Sequence, residues 1–495
     1  MPSISASKHE LFSILILAIG TLLVSGAFNM QSFVVESVLH SVSTRDPSFN
    51  AHSGYYGQSI MYGTYMFSNL MAPLVSYKIG SHWSLVVGTT TFIIYLAGFF
   101  ILNGAYYYVA QALAGAGFGL YYAGQGLYLV EHSNRRTITR NSSLVGSISN
   151  ISITLAGLVL LGIFAVTPTD KNNHQISAFN ASEISSKSLL LNSSENVLST
   201  DDKVGKKEYR SYSNTEIRVI YGFCLGVVLL AAIVYVLLPR KQYNSLVQSE
   251  KIETPTLNRQ FKLIFDVICE PKVFILTSFF MAFGLQVSFW NSAFPTTFSF
   301  TKVLSSNRNL YGYYMIMVGL GSLFMGVFIA ICSKRWPLFG LAPTMVIQIV
   351  IALTLYLLVW LSIPNLSTVR PNPDSPRLIE PSTTVCLITG LLLGMSDASL
   401  NVMRIIVCTF VCPEKKLQTF SASKIYQSMG SCIAFFLSSS ITIDTWVAML
   451  GIAQILGCIG FLFVSKKIMK DHVKIHAVPT SASNETQCET IEESS

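Results

Sequence analysis

The sequence predicts an all-α membrane protein whose chain crosses the bilayer about twelve times, in two groups of six helices. Three observations support this. Of the 495 residues, 51% are hydrophobic and 12% are charged, and that charged fraction is about half of what soluble domains carry. Apolar segments of about 20 residues recur along the whole chain. A polar stretch in the middle divides them into two equal sets.

The predicted spans form an N-terminal bundle over residues 1–239 and a C-terminal bundle over 271–465, joined by a cytoplasmic linker at 240–270. A loop at 167–216, rich in Ser, Asn and Lys, is predicted to have no folded core, and the tail 466–495 is predicted to be disordered. In chain order, the predicted spans are 11–35, 55–77, 84–103, 105–130, 143–166, 217–239, 271–296, 310–332, 338–363, 382–411, 419–442 and 445–465.

The distribution of lysine and arginine predicts that both termini are cytoplasmic. With the N-terminus inside, nineteen of the 33 basic residues fall in cytoplasmic segments and twelve in outer loops. Seven of those twelve belong to or adjoin the long outer loop, and long loops cross the membrane with little regard to charge. The five tryptophans lie near predicted span ends, as an interfacial belt requires.

Glycosylation sequons at Asn180, Asn192 and Asn365 fall in predicted outer loops, so we expect a glycoprotein. Tyr243-Asn-Ser-Leu246 in the linker has the form of a sorting signal. The expected location is therefore the plasma membrane or an endolysosomal membrane.

Polar side chains inside the tenth and eleventh spans are the main candidates for a functional site. Asp397, Asn401 and Arg404 are four and three residues apart, so they share one face of the tenth span. Lys424 and Gln427 lie on the eleventh span at a depth similar to that of Arg404. One interpretation is a charge cluster that binds an anionic solute or carries a coupling proton on Asp397. The alternative is a pair that locks the two helices, with Lys424 extending to the interface.

Three further polar residues are candidates to line a cavity between the bundles. Asn29 and Gln31 lie in the first span and Gln125 in the fourth. Hydrogen bonding between neighbouring helices explains single Asn or Gln residues equally well, so both interpretations stay open.

Several function classes lack support in the sequence. It contains no phosphate-binding glycine loop, no cluster with metal-ligand spacing and no nucleophile elbow. We therefore expect no enzymatic activity and no cofactor. The net charge of +8 is spread over loops, which indicates membrane topology rather than affinity for nucleic acid. The lipid bilayer is the expected partner.

Three stretches carry a resemblance to a known family: Gly54 to Pro73, Ala123 to Leu129 followed by Arg140-Asn141-Ser, and Gly390 to Asp397 followed by Asn401 and Lys424-Ile-Tyr-Gln427-Ser. They resemble the ion channel regulatory, or Unc-ninety-three-like, family of the major facilitator superfamily, in particular its orphan solute-carrier-like branch. The resemblance implies the twelve-helix facilitator fold. It also implies one of two roles: regulating or escorting a potassium channel or another membrane protein, or transporting a small polar or anionic solute.

One departure from the superfamily pattern bears on that choice. Typical facilitators place an acidic residue between spans two and three that latches the inner gate, and here Tyr77 stands in its place before Lys78-Ile-Gly80. The corresponding segment after span eight, Cys332-Ser-Lys-Arg335-Trp, also lacks an acid. This favours a non-enzymatic regulator as the first hypothesis. A secondary transporter coupled through Asp397 is the second.

Overall fold

The computed structural model describes residues 6–134, 136–167, 209–240, 257–336 and 339–477, and these residues are almost entirely helical. The helices of the N-terminal half are α1 Ala6–Ser43, α2 Ser53–Ile79, α3 Ser81–Ile101, α4 Gly104–Glu131, α5 Ile138–Val166 and α6 Asn214–Val236. The helices of the C-terminal half are α7 Leu257–Ile268, α8 Pro271–Ser288, α9 Phe294–Phe300, α10 Lys302–Ser305, α11 Leu310–Arg335, α12 Ala342–Ser362, α13 Thr383–Val411, α14 Lys416–Ser438 and α15 Ile443–Ala477.

Helices α8 and α9 form one membrane-spanning unit, joined by the π-helical turn Phe289–Ala293. Pro295 stands at the start of α9. A proline has no N–H to donate to the carbonyl four residues earlier, so it disturbs the α-helical hydrogen-bond ladder. The result is a single widened turn in the middle of the seventh span, a feature that is frequent at functional sites.

The two halves are built on the same plan. In the N-terminal bundle, α1 packs on α5 and α6, and α4 packs on α2 and α3. In the C-terminal bundle, α8 packs on α14 and α15, and α13 packs on α11 and α12. The bundles meet along two seams, α2 against α14 and α5 against α11. Because these contacts correspond span by span, the chain forms two pseudo-symmetric six-helix bundles, as the sequence predicts.

Every predicted span falls on one helix or helical unit, and the differences lie at the ends. The last helix continues to Ala477, so the first part of the predicted tail is helical. The predicted linker contains α7, a twelve-residue helix. Most of the loop 167–216 lies outside the described residues, as do residues 241–256 with the sorting-type sequence and the tail beyond Ala477.

Nine helical segments in the described chain are long and apolar enough to cross a membrane by composition alone. The three remaining spans are α2, α4 and α14, which are rich in Gly, Ser and Tyr. They lie side by side, since α4 packs on α2 and α2 packs on α14. Gly115 and Gly119 of α4 lie directly against α2, since a Cβ atom at either position would come within 2.2 Å of it. Small residues at helix contacts let backbones approach closely.

We call the membrane face at which α1 begins and α15 ends the terminal face, and the other the distal face. The charge bias of the sequence predicts that the terminal face is cytoplasmic.

Candidate functional site

The tenth span, α13, presents Arg404 to α14 and to Phe283 of α8. Its guanidinium donates to Asn401 Oδ1 at 2.6 Å and to Gln427 Oε1 of α14 at 2.7 Å. The first bond follows from the three-residue spacing on one helix face. Arg404 is only 6% exposed, and its Nε has no hydrogen-bond partner among the described residues. Its Nε therefore keeps an unused donor in a place where water is scarce, which costs free energy.

Asp397 lies two turns from Arg404 on the same helix and is held by an indole. Trp290 Nε1 donates to its Oδ1 at 3.0 Å. Trp290 belongs to the π-helical turn, so the widened turn of the seventh span is what brings the indole to the carboxylate. Among the described residues, no ion pair within 4.0 Å joins Asp397 to Arg404 or Lys424. The locking of α13 to α14 is done by the amide of Gln427 rather than by Asp397.

Lys424 projects from α14 toward the other bundle. Its Nζ lies 5.8 Å from the ring centroid of Tyr122 on α4, a distance typical of a cation–π contact. Tyr65 of α2 lies next to Tyr122, with ring centroids 6.0 Å apart, and Tyr62 lies 6.5 Å from Tyr65. Lys424 and Asp397 are both partly exposed. Lys424 of the C-terminal bundle therefore contacts a group of neighbouring tyrosines of the N-terminal bundle.

The charges of the three ionisable groups do not cancel. With Asp397, Arg404 and Lys424 all ionised, the cluster carries one net positive charge. Charges away from water are costly unless they are paired, and they mark solute or ion pathways in membrane proteins. The net positive charge of the cluster therefore favours a negatively charged ligand between α4, α13 and α14.

The remaining predicted cavity residues make contacts within the N-terminal bundle. Asn29 is partly exposed, and its Nδ2 lies 3.4 Å from Ser152 Oγ on α5. Gln125 donates to Thr21 Oγ1 at 2.8 Å, which ties α4 to α1. The structure therefore does not bring Asn29, Gln31 and Gln125 into the cluster around Arg404.

Gln31 is fully buried, and its Oε1 accepts from Tyr95 Oη of α3 at 2.8 Å. The C-terminal bundle repeats this pair in the equivalent helices: Gln286 Oε1 of α8 accepts from Tyr356 Oη of α12 at 3.0 Å. Two matching pairs inside the two bundles indicate a structural role for both glutamines, because each pair fixes the same two helices of its bundle.

The distal face is closed by contacts between the bundles. Ser37 and Tyr311 hydroxyls lie 2.7 Å apart, and Tyr55 Oη donates to the carbonyl of Thr368 at 3.0 Å. Arg308, which precedes α11, pairs with Glu216 at the start of α6 at 2.7 Å. Residues 31–39 of α1 are all buried, since this part of α1 also contacts the π-helical turn and α9.

The terminal half of α1 differs from its distal half. Phe12, Leu15 and Ile19 recur every three or four residues and are exposed. They therefore form one uncovered stripe on a helix whose other sides pack on α2, α5 and α6.

The loop between α4 and α5, at the terminal face, is held within its own bundle. Glu131 accepts from Ser81 Oγ of α3, and Asn141 donates to Glu10 Oε1 of α1 at 2.7 Å. Burial lowers the pKa of His132 in this loop to about 4, so the ring is neutral at physiological pH. Arg136 and Arg140 are exposed, and Arg135 lies outside the described residues.

Trp290, Tyr122 and the pair Arg308–Glu216 were not among the predicted site residues. The predicted interfacial belt of tryptophans is wrong for Trp290 and Trp446, which are buried. Trp83, Trp336 and Trp360 are exposed, as the belt predicts. The neighbouring Asn291 and Pro295 were the available signals for Trp290, because a polar residue and a proline inside a span mark a helix irregularity.

Of the three predicted glycosylation sites, Asn180 and Asn192 lie outside the described residues. Asn365 is partly exposed in the segment between α12 and α13, and its Oδ1 accepts from the backbone N–H of Asp444 at 3.0 Å. This bond uses the carbonyl oxygen of the side chain and leaves the amide nitrogen, to which a glycan attaches, outside it.

Comparison with known structures supports the fold. The peptide transporter POT, in complex with alafosfalin, superimposes with a TM-score of 0.61 at 13% identity and covers 94% of this chain and 99% of its own. The nucleoside transporter NupG gives 0.58 at 12% identity and covers 92% and 99%. The E. coli fucose:proton symporter FucP gives 0.55 at 13% identity and covers 92% and 99%. The chain therefore has the twelve-helix major facilitator fold, and identities this low inform on the fold alone.

Comparison with known sequences supplies the family. The UNC93-like protein MFSD11 of Xenopus laevis is 24% identical over 471 residues and covers 93% of this chain and 97% of its own length. The corresponding protein of Xenopus tropicalis is 23% identical over 469 residues, with the same coverage. A family model described as ion channel regulatory protein UNC-93 matches residues 45–462. The chain belongs to the UNC-93 family of ion channel regulatory proteins, as the motifs in its sequence predict.

Proposed function

We propose that this protein is a secondary transporter of a small organic anion, with Arg404 and Lys424 as the binding cations and Asp397 as a proton-coupling group. The observation that carries the proposal is the unbalanced cluster between the bundles. Arg404 has an unused donor, Asp397 has no ion-pair partner among the described residues, and Lys424 reaches a tyrosine of the other bundle. A purely structural pair would be expected to neutralise itself.

The geometry indicates how proton binding at Asp397 is coupled to anion binding. Protonation of Asp397 removes the negative charge of the cluster and leaves Arg404 and Lys424 to attract an anion. By linkage, a bound anion favours protonation of Asp397 to the same extent. The Trp290 N–H donates to the carboxyl oxygen in either protonation state, so it positions Asp397 without fixing its charge. Rocking of the bundles about the seams α2–α14 and α5–α11 then carries the solute across.

A second candidate function is regulation or escort of an ion channel or another membrane protein, which was the first hypothesis from the sequence. The description of the matching family and the absence of a gate acid at Tyr77 support it. Under this hypothesis the helices bind a partner, and the charged cluster serves helix packing.

Anion-dependent stabilisation of the purified protein tests the transport proposal. We expect at least one of acetate, benzoate, succinate and phosphate to raise the thermal unfolding midpoint, because a ligand that binds the folded state stabilises it. Lys424→Gln should weaken the apparent affinity about tenfold or more, the effect of losing one charge-assisted contact. Lys416→Gln, at an exposed position of the same helix, is the matched control.

The pH dependence of the same measurement tests the coupling group. Anion affinity should rise as the pH falls in the wild type and lose this dependence in Asp397→Asn. Equal midpoints with and without every anion, or a Lys424→Gln variant that binds like the wild type, would contradict the anion site. Co-purification of a channel with a protein that binds none of these anions would support the regulator.

A further inference from the structure

Helix α7 precedes the seventh span and takes no part in the proposed anion site. Ile264 and Val267 are buried, and Val267 belongs to the hydrophobic core of the C-terminal bundle. Asp266 Oδ2 lies 3.6 Å from Lys415 Nζ, at the turn before α14. One side of α7 is therefore fixed to the protein at the terminal face.

A second side of α7 is apolar and uncovered. Phe261 and Phe265 are one turn apart, and they are 41% and 66% exposed. The third side carries Arg259 and Lys262, both exposed. Successive residues of an α-helix are separated by about 100°, so Ile264 and Val267 share the protein-facing sector, and the two phenylalanines share an aromatic one. Arg259 and Lys262 share the third sector with Asp266, whose charge is paired with Lys415.

The position of α7 identifies what covers the aromatic sector. The seventh span begins at Pro271, three residues after α7 ends at Ile268, so α7 lies at the level where this span enters the bilayer. An amphipathic helix with aromatic and basic sides at this level binds along the membrane surface, with its aromatic rings among the acyl chains and its basic groups at anionic headgroups.

We propose that α7 is a membrane-surface helix that binds anionic lipid of the leaflet at the terminal face. Phe261 and Phe265 insert among the acyl chains, and Arg259 and Lys262 contact the headgroups. Because α7 packs on α14 and also contacts α2, it links this lipid to the seam between the bundles. The inference does not depend on whether the chain transports a solute.

Spin-label depth measurements on the full chain test the orientation. Nitroxide labels at Phe265→Cys and Lys262→Cys would be compared in vesicles of phosphatidylcholine and phosphatidylglycerol, with the exposed Cys269 replaced by serine. The label at 265 should be accessible to oxygen and shielded from a water-soluble nickel chelate, whereas the label at 262 should be accessible to nickel. Nickel access at both positions, or shielding of 265 from both reagents, would overturn the proposal.

Lipid-dependent stabilisation tests the headgroup contact. Phosphatidylglycerol should raise the unfolding midpoint of the wild type in detergent, and the variant with Arg259→Gln and Lys262→Gln should need more of it. The expected loss of apparent affinity is roughly fivefold for each basic residue. Lys334→Gln with Arg335→Gln removes two basic residues from the same face, in the last turn of α11, and should behave like the wild type. Equal losses in both double variants would contradict a specific role for α7.

Discussion

The two faces of this molecule differ in how the bundles meet. On the distal face, hydroxyls, a tyrosine–carbonyl bond and the pair Arg308–Glu216 join the N-terminal to the C-terminal bundle. On the terminal face, Glu131, Asn141 and Glu10 find their partners inside the N-terminal bundle, and the terminal half of α1 is uncovered along one side.

The contacts that join the bundles at the distal face therefore lie together. A rigid-body rotation of one bundle against the other would break them at the same time. The contacts at the distal face are mostly single hydrogen bonds and one partly exposed ion pair, so each contributes modestly.

The largest expected effect comes from the seam between α5 and α11. A Cβ atom on Gly157 would lie 2.8 Å from the carbonyl oxygen of Gly312, and neither helix backbone can yield locally. Gly157→Ala should therefore separate the bundles and destabilise the protein by about 1–3 kcal/mol, the typical cost of overpacking. A Cβ atom on Gly162, five residues along the same helix, would meet nothing within 4 Å.

Gly162→Ala is the matched control for this prediction. It should stabilise the protein by up to about 1 kcal/mol, because alanine favours a helix over glycine. Thermal unfolding midpoints measure both variants. Shifts of the same sign in the two variants would show that the seam is not a close contact.

A smaller effect is expected from opening the distal face by charge removal. Glu216→Gln weakens the bond to Arg308, and loss of a charge-assisted bond should shift the equilibrium toward a distally open form by about tenfold. The measurement is the distance distribution between spin labels at Ser48→Cys and Val303→Cys, two exposed positions on opposite bundles of this face.

Asp444→Asn serves as the control for Glu216→Gln. Asp444 pairs with Arg377 at 2.5 Å on the same face, but both residues belong to the C-terminal bundle. This bond raises the pKa of Arg377, which stays charged at every physiological pH. The longer distance should therefore appear in Glu216→Gln alone, and its appearance in both variants would contradict a latch between the bundles.

The smallest effect concerns the contact between Lys424 and Tyr122. Tyr122→Leu removes the ring under the ammonium group and should weaken binding of a stabilising anion by roughly two- to fivefold, the range of an exposed cation–π contact. Tyr122→Phe keeps the ring and should bind like the wild type. An equal loss in both variants would assign the effect to the tyrosine hydroxyl instead.

The sequence by itself determined the architecture. Twelve spans in two sets of six are predicted from the recurrence of apolar segments, because a bilayer fixes the length that a helix needs to cross it. Nine of them are apolar enough by composition alone. The shared face of Asn401 and Arg404 follows from helix periodicity, and their hydrogen bond confirms it. The family resemblance, read from three stretches of motif, is also confirmed. The cytoplasmic side of the termini and the glycosylation of Asn365 stay predictions.

Only the tertiary structure decided which polar residues meet. Gln31 and Asn401 look alike in sequence, since each is an amide in a span, but Gln31 binds Tyr95 inside its bundle and Asn401 binds Arg404 in the central cluster. Trp290 reaches Asp397 across 107 residues, and Arg308 reaches Glu216 across 92. The local sequence determines how deep in the membrane a side chain lies and on which face of its helix. Its hydrogen-bond partner depends on how the two bundles pack, which is a property of the whole chain.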